Sequence, residues 1–306
     1  MQLLISSFYF TLSLFVFLIV SKAQTNITKT IIVDQSGKGN FIHVQQSIDS
    51  IPPNNQEWTI IHLKSGVYNE KVEISAEDKP YIILQGENRV MTVIQWGDFG
   101  RSLESSTFKL LADNFMAREI TFKAFVQGDK VSFYGCSFIS LQVRDTLTDW
   151  EGRHYFEQCY FEGVIDFIWG GGQSIYQSHL ADGNAYITAQ ARKSDKETNG
   201  FVFKYCKSIW KYSRVLFYKS VFADIIAPQG WDAWNHEGKE ETITYAEIGC
   251  IGPGADMSKR VKWEKNLSEE EVRQIVRVRL FINQEMWLQE QLHALTISGP
   301  HMLLEK

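Results

Sequence analysis

The chain predicts an all-β fold: a parallel β-helix (solenoid) with a C-terminal helix and tail. Three observations carry this expectation. Short runs rich in Ile, Val, Phe and Tyr recur, among them Thr59–Leu63, Tyr81–Leu84 and Glu119–Phe122, with polar or Gly-containing segments between them. The runs also resemble one another. Phe133-Tyr134-Gly135-Cys136-Ser137-Phe138 reads aromatic-x-x-Cys-x-aromatic, and Phe156-Glu157-Gln158-Cys159-Tyr160-Phe161 repeats it 23 residues later. Weaker copies follow at Ile175–Leu180, with Ser178 in the cysteine position, at Phe203–Cys206 and at Phe217–Phe222. Finally, an irregular period of about 20–25 residues marks a solenoid, and strand-like units imply coils stacked at about 4.8 Å. A β-sandwich is the competing fold, but it does not call for the recurring Phe-x-x-Cys motif.

Each segment then has a reading. Leu3–Val20 is apolar and uncharged, and Ser21-Lys22-Ala23 supplies small residues where a signal peptidase cuts. Residues 1–23 are therefore expected to be a signal peptide, 24–30 a short N-terminal segment and 31–306 the β-helix domain. Loss of Lys22 takes the net charge from −5 to −6. This mild acidity excludes a general attraction to nucleic acid, and no other segment is built to span a membrane. Asn26-Ile27-Thr28 and Asn266-Leu267-Ser268 are glycosylation sequons on an exported chain. The four cysteines, Cys136, Cys159, Cys206 and Cys250, are too few for a disulfide scaffold. They read best as a ladder of small buried residues, although stacked neighbours lie within disulfide range. Ser268-Glu269-Glu270-Glu271 forms a capping box, and Val272, Ile275, Val276, Val278 and Leu280 follow at partly helical spacing. This predicts a terminal helix over the open end of the coil stack.

The candidate chemistry rests on Asp145 and Asp166, 21 residues or about one coil apart. Carboxylates on adjacent rungs cannot both ionise freely, so one can hold a proton while the other remains a nucleophile or base. Asp166 lies in the apolar run Val164–Trp169, where an unpartnered charge is costly.

Several motifs then agree in order with one family. Asp145-Thr146-Leu147 and Asp166-Phe167-Ile168-Trp169-Gly170 resemble the two aspartate signatures of plant-type pectin methylesterases (pectinesterases). Gly66-Val67-Tyr68-Asn69-Glu70, Gly152-Arg153-His154-Tyr155-Phe156, Ile187-Thr188-Ala189-Gln190, Pro228–Asn235 and Gly252-Pro253-Gly254-Ala255 are similar to further family motifs. The resemblance implies a right-handed parallel β-helix that cleaves galacturonate methyl esters of pectin without metal or cofactor. It implies that Asp166 attacks the ester and that Asp145 protonates the departing methanol and then activates water. Gln142 would stabilise the oxyanion, and Trp210 and Trp231 would stack on sugar rings. The expected partners are methyl-esterified homogalacturonan and a proteinaceous pectinesterase inhibitor. The expected setting is the cell wall, as a secreted monomer.

Three departures from the family pattern bear on activity. Cys136 to Asp145 spans 9 residues and Cys159 to Asp166 only 7, and Val143 and Arg144 separate Gln142 from Asp145, so either Gln142 is the oxyanion glutamine displaced by a bulge or Arg144 occupies its place. Phe122 to Phe133 is 11 residues and Phe203 to Phe217 is 14, both short of a coil. The family's Gln-Ala-Val-Ala-Leu and Leu-Gly-Arg-x-Trp segments belong in those stretches. Trp210 alone represents the second, and Arg214 matches a different, later position. These gaps predict two coils that disturb their neighbours, and they support an alternative reading: a catalytically impaired pectin-binding paralogue or a mis-spliced product.

Overall fold

The computed structural model describes residues 27–297 except 76–78, 98–105, 141–145, 164, 181–185, 191–193, 195, 205–213, 223, 225, 232 and 234–236. The strands wind into a parallel β-helix with three faces. The first face stacks strands from Ile27–Val33 through Trp58–Leu63, Ile82–Gly86, Phe115–Arg118, Val131–Tyr134, Arg153–Glu162, Gln173–Leu180, Gly200–Phe203 and Arg214–Tyr218 to Thr244–Ile248. The second runs from Gly66–Asn69 to Ser137–Ile139 and joins the long strand Arg153–Glu162. The third holds Val72–Ile74, Phe108–Leu110, Ala124–Val126, Leu147–Asp149, Ile165–Gly170 and Tyr186–Gln190.

Two corners recur on successive coils, and each is turned by a residue with positive φ. Tyr81, Asn114, Lys130 and Gly152 stand just before first-face strands, with φ of 64°, 54°, 58° and 103°. Glu119, Gly135, Lys219 and Gly249 stand just after them, with φ of 52°, 59°, 50° and 63°, and Gln158 turns the same corner within the long strand Arg153–Glu162 at 53°. Non-glycine residues in this region cost about 1–2 kcal/mol each. The cost is tolerated because the ladders on either side dictate the bend.

The core is a column of aromatic rings. Phe133 stacks on Phe156 at 5.0 Å, Phe156 on Tyr176 at 4.6 Å and Tyr176 on Phe203 at 4.5 Å. A parallel stack sets Phe138 over Phe161 at 4.8 Å. These spacings match the distance between strands, so the two aromatic positions of the repeated motif are the two columns. Cys136 and Cys159 point inward, are buried and carry free thiols, and Cys250 is also free. Burial pushes the Cys159 thiol up. Cys206 lies outside the described residues.

The expectation of disrupted short coils is overturned for the first of them; of the second, residues 205–213 lie outside the described residues. Phe122 pairs with Phe138, not with Phe133, and Val131 pairs with Phe115. The coil beginning at Phe115 thus has 16 residues, yet it supplies Phe115–Arg118, Thr121–Phe122 and Ala124–Val126, one strand to each face. Phe203 pairs directly with Phe217, with ring centroids 5.7 Å apart. Coils tolerate unequal length because register is set by inward side chains, while surplus residues go into turns.

The helices are placed differently from the expectation. The helix α1 (Val44–Asp49) packs Val44 and Ile48 against the core of the first coil. The capping box forms as predicted: Ser268 caps α2 (Glu269–Val276), with Glu271 Oε2 2.8 Å from Ser268 N. A short α3 (Val278–Phe281) and α4 (Trp287–Ile297) follow. They do not close the end of the stack but lie along the outer side of the first face. Phe281, Ile282, Trp287 and Leu288 pack on Tyr155, Ile175 and Val202, and Ala294 and Leu295 pack on Trp58, Ile60, Ile83 and Met116. Gln291 Nε2 donates to Lys130 O at 2.6 Å. The outer side of this face is apolar at these positions, so covering it removes apolar surface from water.

Near the last coils, Arg260 forms two hydrogen bonds to Glu247, at 2.8 and 3.0 Å, with both side chains 4% exposed. Glu264 lies beside them. Burial, then the charge of Glu247, pushes its carboxyl up to about 7. The folded protein therefore holds this proton between pH 4.5 and about 7, where the unfolded chain has lost it. Stability from this group is complete below pH 4.5 and declines as pH rises through 7. The melting temperature is expected to fall between pH 5 and 7.5, and Glu264→Gln to flatten that slope; an unchanged slope in the variant refutes this origin.

Candidate active-site cleft

The strand Ile165–Gly170, which carries Asp166, lies on the third face between Leu147–Asp149 and Tyr186–Gln190. Leu147 pairs with Ile168 and Thr148 with Trp169, an offset of 21 residues. Asp145, Gln142 and Trp210 fall outside the described residues, and for Asp166 only the backbone is described.

Trp231, expected to stack on sugar rings, is described. It is 3% exposed, with its ring stacked on Tyr245 at 4.5 Å and packed against Phe217 at 5.5 Å. The turn before it is held from below: Arg260 Nη1 donates to Pro228 O at 2.9 Å and Val261 N to Gln229 O at 3.2 Å. These contacts hold the turn that packs the ring against the core.

The aromatic surface lies elsewhere. A cleft of about 800 Å³ opens at the end of the third-face strands, lined by Trp150, Trp169, Arg153, Gln173, Lys196 and Asn199 among others. Trp150 is 36% exposed and meets Trp169 edge to face at 5.5 Å. Two buried polar atoms on this wall, Trp169 Nε1 and Asn199 Oδ1, have no hydrogen-bond partner among the described residues. Unmet donors and acceptors at a cleft are costly unless a ligand satisfies them. Arg153 is held by Asp129 and Glu285. Burial pushes the Asp129 carboxyl up, but the hydrogen bonds and charge of Arg153 hold it below its usual value. Arg214 donates from Nη1 to Thr198 O at 2.9 Å and has no ion pair among the described residues. Burial depresses its pKa.

Sequence reasoning missed Trp150 as a cleft residue and named Trp169 only within an apolar strand and the second aspartate signature. The signal was available: each follows one of the two aspartates by a few residues in the sequence. Among the described residues, no group of His, Cys, Asp or Glu could hold a metal ion.

A three-faced parallel β-helix with an aromatic cleft at the strand ends defines a class of protein that can lay an extended polymer across its flank. Comparison with known proteins narrows the class. The Pectinesterase family model matches residues 30–211 and 208–285. Probable pectinesterase 29 of Arabidopsis thaliana is 41% identical over 301 residues, covering 85% of this chain and 89% of its own. Putative pectinesterase 11 of the same plant is 44% identical, covering 78% and 75%. Pectin methylesterase from carrot superposes with a TM-score of 0.79 at 24% identity, covering 92% of this chain and 99% of its own. The chain belongs to the pectinesterase family, whose members are carboxylic ester hydrolases.

Proposed function

We propose that this protein hydrolyses the methyl esters of galacturonate residues in pectin, yielding pectate and methanol, with Asp145 and Asp166 as the catalytic pair. The observation that carries this reading is the register of the third face. The offset of 21 residues that pairs Leu147 with Ile168 is the offset that separates Asp145 from Asp166. Continued back two residues, the same ladder would set the two aspartates side by side.

Ionised Asp166 attacks the ester carbonyl carbon, and the C–OCH₃ bond breaks as Asp145 passes its proton to the departing methoxide oxygen. The acyl-enzyme is then hydrolysed: Asp145 takes a proton from water, hydroxide adds to the acyl carbon and Asp166 leaves as carboxylate. Gln142 donates to the oxyanion in both steps. Trp150, Trp169 and Trp210 hold the sugar rings. Lys196 and Arg214 add positive charge beside the cleft for carboxylates already uncovered. The unmet polar atoms of Trp169 and Asn199 support a polar polymer in this place.

The reading also has the protein exported and acting in the cell wall as a monomer, glycosylated at its sequons. Among the described residues no helix is long and apolar enough to cross a membrane. The direct test is methanol release from highly esterified pectin by the purified protein; binding without release would leave a non-catalytic pectin-binding protein. Trp150→Ala is expected to raise KM for pectin about tenfold, the scale of one aromatic contact, with kcat little changed. An unaltered KM would remove Trp150 from the substrate path.

A further inference from the structure

Behind the cleft wall lies a polar cluster that the proposed chemistry does not use. Asp149, His154, Ser174 and Tyr176 are each 0% exposed. His154 Nδ1 is 2.6 Å from Asp149 Oδ1, and His154 Nε2 is 2.7 Å from Gly128 O. Tyr176 donates its hydroxyl to Asp149 Oδ2, and Ser174 Oγ is 3.4 Å from His154 Nδ1. A carbonyl oxygen can only accept, so Nε2 carries a hydrogen. A second hydrogen lies between Nδ1 and the Asp149 carboxyl oxygen, and the pair is ionic when the ring holds it. Burial pushes the ring's pKa down, but the charge and hydrogen bond of Asp149 outweigh this and raise it.

The cluster joins three coils at one corner. Gly128 follows the strand Ala124–Val126, Asp149 ends Leu147–Asp149, and Gly170–Gly172 leave the strand that carries Asp166. Trp150 N donates to Val126 O at 2.8 Å, Gly171 N to Trp150 O at 2.9 Å and Gly172 N to Asp149 O at 3.0 Å. A Cβ at Gly172 would stand 1.9 Å from Asp149 Oδ1, so only glycine allows the turn to close over that carboxylate. The residues above the corner are Trp150 and Trp169. Cohesion alone does not call for a buried ion pair, since well-packed apolar side chains often do as well or better. A charged pair instead demands one geometry.

We propose that the His154–Asp149 pair is a positioning device for substrate: it fixes the corner that carries Trp150 and Trp169 and so sets the shape of the cleft that receives the polymer. The pair serves binding rather than the chemical step at Asp166. This inference rests on the cleft being the pectin site.

The test combines kinetics, binding and spectroscopy on the full chain. In the parent protein, ¹⁵N spectra of the histidines are expected to show one ring with both nitrogens protonated from pH 5 to 8; a deprotonated nitrogen on His154 overturns the proposal. His154→Gln is expected to raise KM on esterified pectin about tenfold, as a misplaced wall would, with kcat within about twofold. Tyr176→Phe, which removes one hydrogen bond and keeps the ring stack, is the milder variant and carries the test if His154→Gln does not fold. Its KM should rise in the same sense. Folded variants with unchanged KM, or with kcat falling alongside the folded fraction, overturn the proposal. If the parent releases no methanol, the esterase reading fails separately. Retardation of the same variants in pectin-containing gels then reads the positioning role by itself.

Discussion

Asp166→Asn is expected to abolish measurable methanol release from esterified pectin, a loss of about 10⁴- to 10⁶-fold in kcat, as found when a catalytic nucleophile is removed. The substitution keeps the size and most hydrogen-bonding capacity of the side chain but removes the carboxylate that would attack the ester. The strand carrying residue 166 is paired on both sides, so the variant should melt with the parent and still bind pectin. Retention of more than a tenth of the parent rate would exclude Asp166 as nucleophile. The departures in the neighbouring segments sharpen this test. If the displaced Gln142 no longer supports the oxyanion, the parent rate is itself low by about 100- to 1000-fold, but the ratio of parent to variant still reports Asp166.

Phe156→Ala is expected to cost about 3–5 kcal/mol of stability, the range for emptying an aromatic site in a packed core. Phe156 is 0% exposed, stacks on Phe133 and Tyr176 and meets Phe138 and Phe161 edge on at 5.8 Å. It therefore belongs to one aromatic column and touches the other. Backbone ladders hold the coils above and below in place, so the site cannot collapse to fill the gap. The melting temperature should drop by roughly 10 °C at this chain length. Phe156→Leu, which refills most of the volume, should recover more than half of that drop. Equal melting for parent and Phe156→Ala would mean that the columns do not bear the packing load assigned to them.

Several site features were not legible in the sequence. The motif Phe-x-x-Cys-x-Phe located both aromatic columns and the inward cysteines, because side-chain alternation is local. Phe122 was matched to the wrong ring: it resembles Phe133 in sequence, but its neighbour in the stack is Phe138. Sequence similarity between rungs does not tell which corner a residue follows, and the positive-φ residue Glu119 places Phe122 on the second face. The motif around Trp231 matches the family's, and that resemblance implies stacking on sugar rings without telling how buried the ring is. Its burial depends on Tyr245 and Arg260, which only the winding of the chain brings beside it. His154 and Asp149 stood in quoted or adjoining motifs, yet their pairing needs Gly128 and Tyr176 from other coils.

By itself the sequence determined the solenoid architecture, the inward aromatic repeat, the capping box at Ser268 and membership of the pectinesterase family. Each is written in short-range pattern or in ordered motifs. The tertiary structure alone decided that first-face strands 14, 16 and 23 residues apart pair directly, that the last helices cover a face rather than an end, and which described tryptophans line the cleft. Those outcomes depend on what lies opposite a residue once the chain has wound. Burial and register are properties of that partner as much as of the residue.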